Sequence, residues 1–532
     1  MKAPLLKVEN LTVAFGEQPV VHNVTFNLNK GELLALVGES GSGKTITSAA
    51  IMGLLPRGGR MTNGCVFHHP SSSIWAAPGI KDQPQGQGLS MVFQDPMSSL
   101  NPSMRVGWQV AEGPIFHKQL TKKDAKAFVL KLFEEVELPD PSNTFEKYPH
   151  ELSGGQKQRI MIALALAANP EVLIADEPTT ALDTTVQKSI LELLKKLQRE
   201  REIGILFITH DLGVVQAIAD RVLVMRAGEI VEQGDVTSVL NQPQHAYTKA
   251  LIEARKYTSI EEPPPASPPL VIAKNLGKSY TIQSDLFGRP TQTFQAVDSV
   301  NLSISRGERV GLIGESGSGK STLGRLLIGM LPSTQGSIEF NGMKVNPEDK
   351  SNMRSIRHQA QLVFQDPYGA LNPKLAVGFA LTEVMEHRGV PAKQAKQEAI
   401  QLLHEVGLNS EDAQKKPHEF SGGQRQRLVI ARALAMQPMF LVLDESVAAL
   451  DIQIQKEILA LLKRIGDERR LTFLFISHDL DVVSSFCNRL LIMKNGRIVE
   501  SGETHEIITN PKTAYTTELL DSRPGNLSLL LS

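Results

Sequence analysis

The chain is written twice. GESGSGKT at 38–45 returns as GESGSGKS at 314–321, and FQDPMSSLNP from Phe93 returns as FQDPYGALNP from Phe364. LSGGQKQR from Leu152 returns as FSGGQRQR from Phe420, ADEPTTALD from Ala175 as LDESVAALD from Leu443, and FITHDL from Phe207 as FISHDL from Phe475. A repeat of this extent constrains the fold more than any local propensity, because both copies must find one architecture. Lys44 and Lys320 are 276 residues apart and Gln94 and Gln365 are 271 apart, whereas Ser153 and Ser421, Asp176 and Asp444, and His210 and His478 are each 268 apart. The constant offset predicts packed elements, and the variable one predicts surface loops. Between the copies, 256–270 carries five prolines and no apolar periodicity, which predicts an extended connector. The expected organisation is a first domain at 1–255, a linker at 256–269, a second domain at 270–520 and a tail at 521–532.

Short apolar runs at 33–37 and 308–313 each lead into a glycine-rich turn and then an amphipathic helical stretch. Further apolar runs at 172–175, 205–208, 441–443 and 473–476 read as buried strands. Strands alternating with helices predict an α/β fold with a mainly parallel core sheet in each copy.

The turn Gly38, Glu39, Ser40, Gly41, Ser42, Gly43, Lys44, Thr45 and its counterpart Gly314, Glu315, Ser316, Gly317, Ser318, Gly319, Lys320, Ser321 fit the phosphate-loop pattern. Glycine lets successive backbone N–H groups curl around phosphate oxygens, and the positive end of the following helix faces the same anion. Lys44 and Lys320 would neutralise β- and γ-phosphates, and Thr45 and Ser321 would offer hydroxyls to Mg²⁺. Asp176-Glu177 and Asp444-Glu445 end apolar strands, where neighbouring side chains point to opposite sides. Asp176 and Asp444 are expected on Mg²⁺, and Glu177 and Glu445 on the attacking water. Gln94 and Gln365 suit a sensor that touches Mg²⁺ or water and releases it without a charge penalty. His210 and His478 suit a hydrogen bond to a γ-phosphate oxygen. Ser153, Gly154, Gly155, Gln156 and Ser421, Gly422, Gly423, Gln424 open further helices and form a second anion-binding surface per copy. That surplus is explained if each nucleotide is sandwiched between two domains.

Bulk properties narrow the class. Lys+Arg 56 against Asp+Glu 57 gives a formal net charge of -1, which lacks the basic footprint of a nucleic-acid binder. Cys65 and Cys487 stand alone in opposite copies, which argues against a disulfide framework or a zinc site. MKAPLLKVEN has no apolar leader, and no run approaches the ~18–20 apolar residues of a membrane helix. Membrane contact is therefore expected through partners only.

These motifs resemble those of the ATP-binding-cassette ATPases, over nearly the whole chain and twice. The resemblance implies an antiparallel β subdomain and a helical subdomain beside each core sheet. It also implies that Ser421 and Gly423 complete the site of Lys44, that Ser153 and Gly155 complete the site of Lys320, and that Asp183 and Asp451 lie in the loops between. Phe15 and Tyr280 lie where the family keeps an adenine-stacking aromatic. QDPxxxLNP, QHAYTKAL at 244–251 and AYTTELL at 514–520 are similar to the dipeptide, oligopeptide and nickel importer ATPases, including fused forms that serve microcin C and glutathione importers. The implied setting is the cytoplasmic face of a bacterial inner membrane, with two integral membrane permease subunits and a periplasmic solute-binding protein. The implied cargo is peptide, with glutathione-like peptides or a nickel chelate as alternatives. Ser446-Val447 replaces the Pro-Thr of the first copy, but both carboxylates are kept, so catalysis is expected at both sites. No extra cysteines follow the cores, so no iron–sulfur cluster is expected. His68-His69 lacks a third ligand and reads as a surface loop, as does the insertion at 281–295. A soluble two-cassette ATPase acting on ribosomes or DNA is the rival class. The proline-rich linker and balanced charge count against it.

Overall fold

A computed structural model describes residues 4–68, 73–76, 88–94, 99–180, 182–255, 267–284, 290–364, 366–447 and 450–522. Most of the expected linker, the sensor residue Gln365, His69 and the end of the tail lie outside these. The chain divides into two compact units, the first built on Met1–Arg255 and the second on Lys256–Asp521.

The first unit is organised around the strand Leu33–Val37, whose five side chains are all buried. A strand apolar on both faces can sit only inside a sheet covered on both sides. It pairs in parallel with Gly204–Thr209 on one side and Arg221–Arg226 on the other. Beyond Gly204–Thr209 come Val172–Asp176 and then Leu89–Val92, both parallel. Glu229–Asp235 closes the opposite edge antiparallel. The second unit repeats this order, from Ala360–Val363 through Phe440–Asp444, Thr472–Ser477, Arg309–Ile313 and Arg489–Lys494 to Arg497–Glu503. In both sheets the motif-bearing strands finish at one carboxyl end, where open α/β sheets bind ligands.

An antiparallel four-stranded sheet accompanies each core: Gln18–Leu28, Leu6–Phe15, Gly59–His68 and Ser73–Ala76 in the first unit, Pro290–Ser305, Pro269–Ser284, Gln335–Phe340 and Met343–Lys344 in the second. The insertion at 281–295, expected as a solvent loop, instead lengthens two paired strands to 16 residues each. Alternating β-branched and polar residues at 281–284 and 291–294 favour continued pairing over a loop. A helical layer forms the third part: Val106–His117, Lys122–Glu135 and Gly154–Ala167 in the first unit, and Val377–His387, Ala392–Glu405 and Gly422–Leu434 in the second. Val129, Phe133 and Ile160 bury there in one apolar cluster with the sheet residue Leu173. Each contributes about 1.5–3 kcal/mol by leaving water. No helix among the described residues is long and apolar enough to cross a membrane.

Candidate nucleotide site

Leu33–Val37 leads into Gly38, where no side chain fits: a Cβ on Gly38 would lie 2.2 Å from the Met225 carbonyl oxygen, and one on Gly314 would lie 2.1 Å from that of Met493. The chain then turns through Gly41 and Gly43 at φ +81° and +103°, and through Gly317 and Gly319 at +80° and +103°. Left-handed backbone of this kind costs little only for glycine. Gly43 and Gly319 stand at the N-cap positions of Lys44–Ile51 and Lys320–Leu327 without any side-chain cap. The first-turn N–H groups are left for an anion. The buried Lys44 ammonium donates to the carbonyl oxygens of Gly38 and Glu39, both at 2.8 Å, and Lys320 does so to Gly314 and Glu315, both at 2.7 Å. Ser42 Oγ and Ser318 Oγ are buried without a hydrogen-bond partner. An orphaned hydroxyl inside a cradle of N–H groups fits a phosphate oxygen as its missing partner.

The carboxylates converge on the same place. Thr45 Oγ1 lies 3.4 Å from Asp176 Oδ1, and Ser321 Oγ lies 2.8 Å from Asp444 Oδ1. Paired hard oxygens of this sort suit a small divalent cation. Burial, and then the charge of Glu177, push Asp176 up to about 6. Burial likewise raises Asp444, against the Ser321 hydroxyl and the charge of Arg325. Arg325 Nη2 stands 4.0 Å from Asp444 Oδ2, and the equivalent position in the first unit is Ala49.

The next residue departs from the expected strand pleat. The strands end at Asp176 and Asp444, and Glu177 and Glu445 both take left-handed backbone at φ +47°. Their N–H groups donate to Ile208 O and Ile476 O, each at 2.9 Å. The carboxylates therefore diverge through a strained turn pinned by the neighbouring strand, the kind of backbone that concentrates at functional sites. Glu177 Oε1 lies 3.2 Å from His210 Nδ1, while its Oε2 accepts from Gln94 Nε2 at 2.9 Å and Thr180 Oγ1 at 3.0 Å. Glu445 Oε1 lies 3.7 Å from His478 Nδ1. Ala448 replaces Thr180 in the second copy, so that hydroxyl is lost. Burial pushes Glu177 up, but the hydrogen bond and charge of His210 outweigh it and hold it below the carboxylate range. His478 beside it holds Glu445 low against burial. Burial pulls His210 and His478 down, and their glutamates more than restore them, leaving both raised.

The second anion surface is also built as expected in part. Ser153 caps Gly154–Ala167 by accepting from the Gln156 N–H at 3.3 Å, and Gln156 Oε1 accepts from the Ser153 N–H at 3.0 Å. Ser421 and Gln424 repeat this at 3.3 and 3.0 Å. The glutamine side chains thus have work within their own helix, as a capping box. The two glycines differ in kind. A Cβ on Gly155 or Gly423 would meet Val186 or Ile454 at 2.6 Å, so packing explains them. Gly154 and Gly422 meet only Leu182 and Leu450, at 3.6 and 3.7 Å, so their own fold does not require glycine. Asp183 and Asp451 cap the long helices Thr184–Arg201 and Ile452–Arg469 by accepting from Val186 and Ile454 N–H groups. Phe15 lies against Gly59, and Tyr280 is half-exposed with Lys278 Nζ 5.3 Å from its ring.

Known proteins match this chain over most of its length. The ABC transporter family matches residues 21–180 and 297–448. This chain belongs to the ABC transporter family. The oligopeptide/dipeptide transporter C-terminal region matches residues 231–280 and 499–528. The chain is 40% identical to the glutathione import ATP-binding protein GsiA of Pectobacterium atrosepticum and to that of Escherichia coli K12, covering 98% of this chain and 89% of each relative. A solved dimeric ATP-binding cassette in a post-hydrolysis state, bound to ADP and Pi, is 30% identical and covers 44% of this chain and 98% of that chain, with a TM-score of 0.39. As a member of this family the chain binds ATP and hydrolyses it.

One pair of residues beside the nucleotide site was not singled out from sequence. Tyr247 and Tyr515, from the oligopeptide-type segments, are buried, and their hydroxyls accept from the phosphate-loop N–H groups of Glu39 and Glu315, each at 3.1 Å. The repeated AYT in both segments was the available signal. Phenylalanine at either position removes that hydrogen bond at a cost of about 1 kcal/mol. The expected result is an about fivefold rise in the ATP concentration giving half-maximal turnover at that site. Steady-state kinetics of Tyr247→Phe and Tyr515→Phe test this, and an unchanged value would remove the tyrosines from the site.

Proposed function

We propose that this ABC ATPase is the energy-coupling subunit of a bacterial importer of the dipeptide and oligopeptide class, with glutathione-like peptides or a nickel chelate as the alternative cargoes. The importer reading is supported by the oligopeptide/dipeptide transporter region, which follows each cassette and reaches the phosphate loop through Tyr247 and Tyr515. The relatives named for glutathione import favour a short peptide. The chain works at the cytoplasmic face of the inner membrane, held by two permease subunits, with a periplasmic solute-binding protein delivering cargo.

Two composite sites carry the chemistry. Lys44, Ser42 and the N–H groups of the first loop bind one ATP, which Ser421, Gly422 and Gly423 complete, with Lys320, Ser318, Ser153, Gly154 and Gly155 forming the other. Phe15 and Tyr280 support the two adenines. Thr45, Asp176 and Gln94, and Ser321, Asp444 and Gln365, would hold Mg²⁺, which neutralises charge on the transferring phosphoryl group. Glu177 and Glu445 accept the proton of the attacking water, and His210 and His478 hold those carboxylates and reach the γ-phosphate. ATP draws the two halves of each site together, and hydrolysis releases them.

The observation that carries the composite reading is the unexplained freedom at Gly154 and Gly422. Aspartate there fits the fold and suits a helix N-terminus, but it would repel a phosphate arriving from elsewhere. Gly154→Asp with Gly422→Asp is expected to leave the unfolding midpoint nearly unchanged and to lower ATP turnover at least ~10-fold. Normal turnover would overturn the composite sites.

A further inference from the structure

Each unit has a groove between its core sheet and its helical layer, and the two grooves match in size, with a cavity of about 750 Å³ in each. Their apolar floors also match. Leu54 and Phe93 are 44% and 42% exposed in the first groove, and their counterparts Met330 and Phe364 are 45% and 36% exposed in the second. Large apolar side chains left open at equivalent places read as anchors for a partner.

The rims differ in charge. The second groove is lined by Lys350, Arg354, Arg357 and Arg432, with His358 and His387 beside them and no carboxylate among its described lining residues. Arg432 donates to the Ala370 carbonyl oxygen at 2.7 Å, which fixes its guanidinium without neutralising it. Among the described residues, none of these four cations has an ion-pair partner. In the first groove Leu164 stands where Arg432 stands in the second, and among the described lining residues the charges of Glu112 and Lys118 cancel. In sequence, 69–87 lies where the second copy has Lys350–Gln359, and it carries one Lys and one Asp. Four unpaired cations around an apolar floor cost stability through mutual repulsion unless an anion meets them.

We infer that the second groove docks an acidic segment of one membrane-embedded subunit, whereas the first takes a segment without net negative charge. The fused chain therefore seats two different membrane partners in one order only. This rests on the importer reading above. Charge complementarity of this kind rejects the wrong partner as much as it attracts the right one.

The test is photo-crosslinking in the assembled complex, with benzoylphenylalanine at Met330 in one preparation of the full chain and at Leu54 in another. The Met330 probe is expected to join a net-negative peptide of one integral membrane subunit, with a yield that falls as salt rises. The Leu54 probe is expected to join a different peptide without net negative charge, with a yield indifferent to salt. Arg354→Glu with Arg357→Glu should lower the Met330 yield about tenfold while sparing the Leu54 yield and basal ATP hydrolysis. A neutral or basic peptide at Met330, the same peptide at both positions, an anionic lipid adduct, or a salt-independent yield would each overturn the inference. No integral membrane polypeptide at either position would overturn the importer reading itself.

Discussion

Replacing Glu177 and Glu445 together by glutamine is expected to lower ATP turnover about 10²–10⁴-fold while ATP binding persists. The substitution is nearly isosteric. A glutamine carbonyl at 177 can still accept from Thr180 or Gln94, and its amide can face His210, so the strained turn at φ +47° keeps its support. What disappears is a carboxylate beside the phosphate loop that can take a proton from water at neutral pH. Thr180 donates to Glu177 at 3.0 Å and alanine takes its place in the second copy, so each single substitution is to be compared with the pair. Phosphate release and fluorescent-nucleotide binding on the intact chain measure both. Near-normal turnover in the double variant would remove the two glutamates from catalysis.

The second large effect is on stability. Asp176→Asn is expected to stabilise the nucleotide-free first unit at pH 7.5 by about 2–3 kcal/mol. Burial, together with Glu177, raises the carboxyl from 3.8 to about 6 in the folded protein. A raised carboxyl favours folding most when protonated, so its contribution is fully present below pH 3.8 and is lost as pH climbs through 6. At pH 7.5 the buried group is ionised at a cost that asparagine avoids. The gain should shrink at pH 5, and Mg²⁺ with ATP should stabilise the native chain but much less so the variant. Asp444→Asn should gain less, because Arg325 already offsets the charge. Unfolding midpoints at the two pH values decide the matter, and a lower midpoint for Asp176→Asn at pH 7.5 would refute the account.

These two predictions draw on different kinds of information. That Glu177, Asp176 and the phosphate loop belong to one site was legible in the sequence, because each motif is local. Glycines, a lysine and a hydroxyl at fixed spacing make an anion cradle wherever a strand meets a helix, and the second copy repeats it. The parallel sheet was legible for the same reason, since runs such as Leu33–Val37 are apolar on both faces.

Other features were decided only by chain segments meeting from far apart. The left-handed turn at Glu177 depends on Ile208, the glycine at 155 on Val186, and the phosphate-loop N–H of Glu39 on Tyr247, 208 residues away. The extra strand length at 281–295 needed a partner strand to favour it. The basic rim gathers Lys350 and Arg354 from one helix and Arg432 from another. Spacing along a chain carries the chemistry of a loop whose own backbone does the binding. It does not carry the position of side chains whose neighbours are set by packing, and so the repeat by itself determined two ATP sites, while the tertiary structure decided how unlike the two halves are.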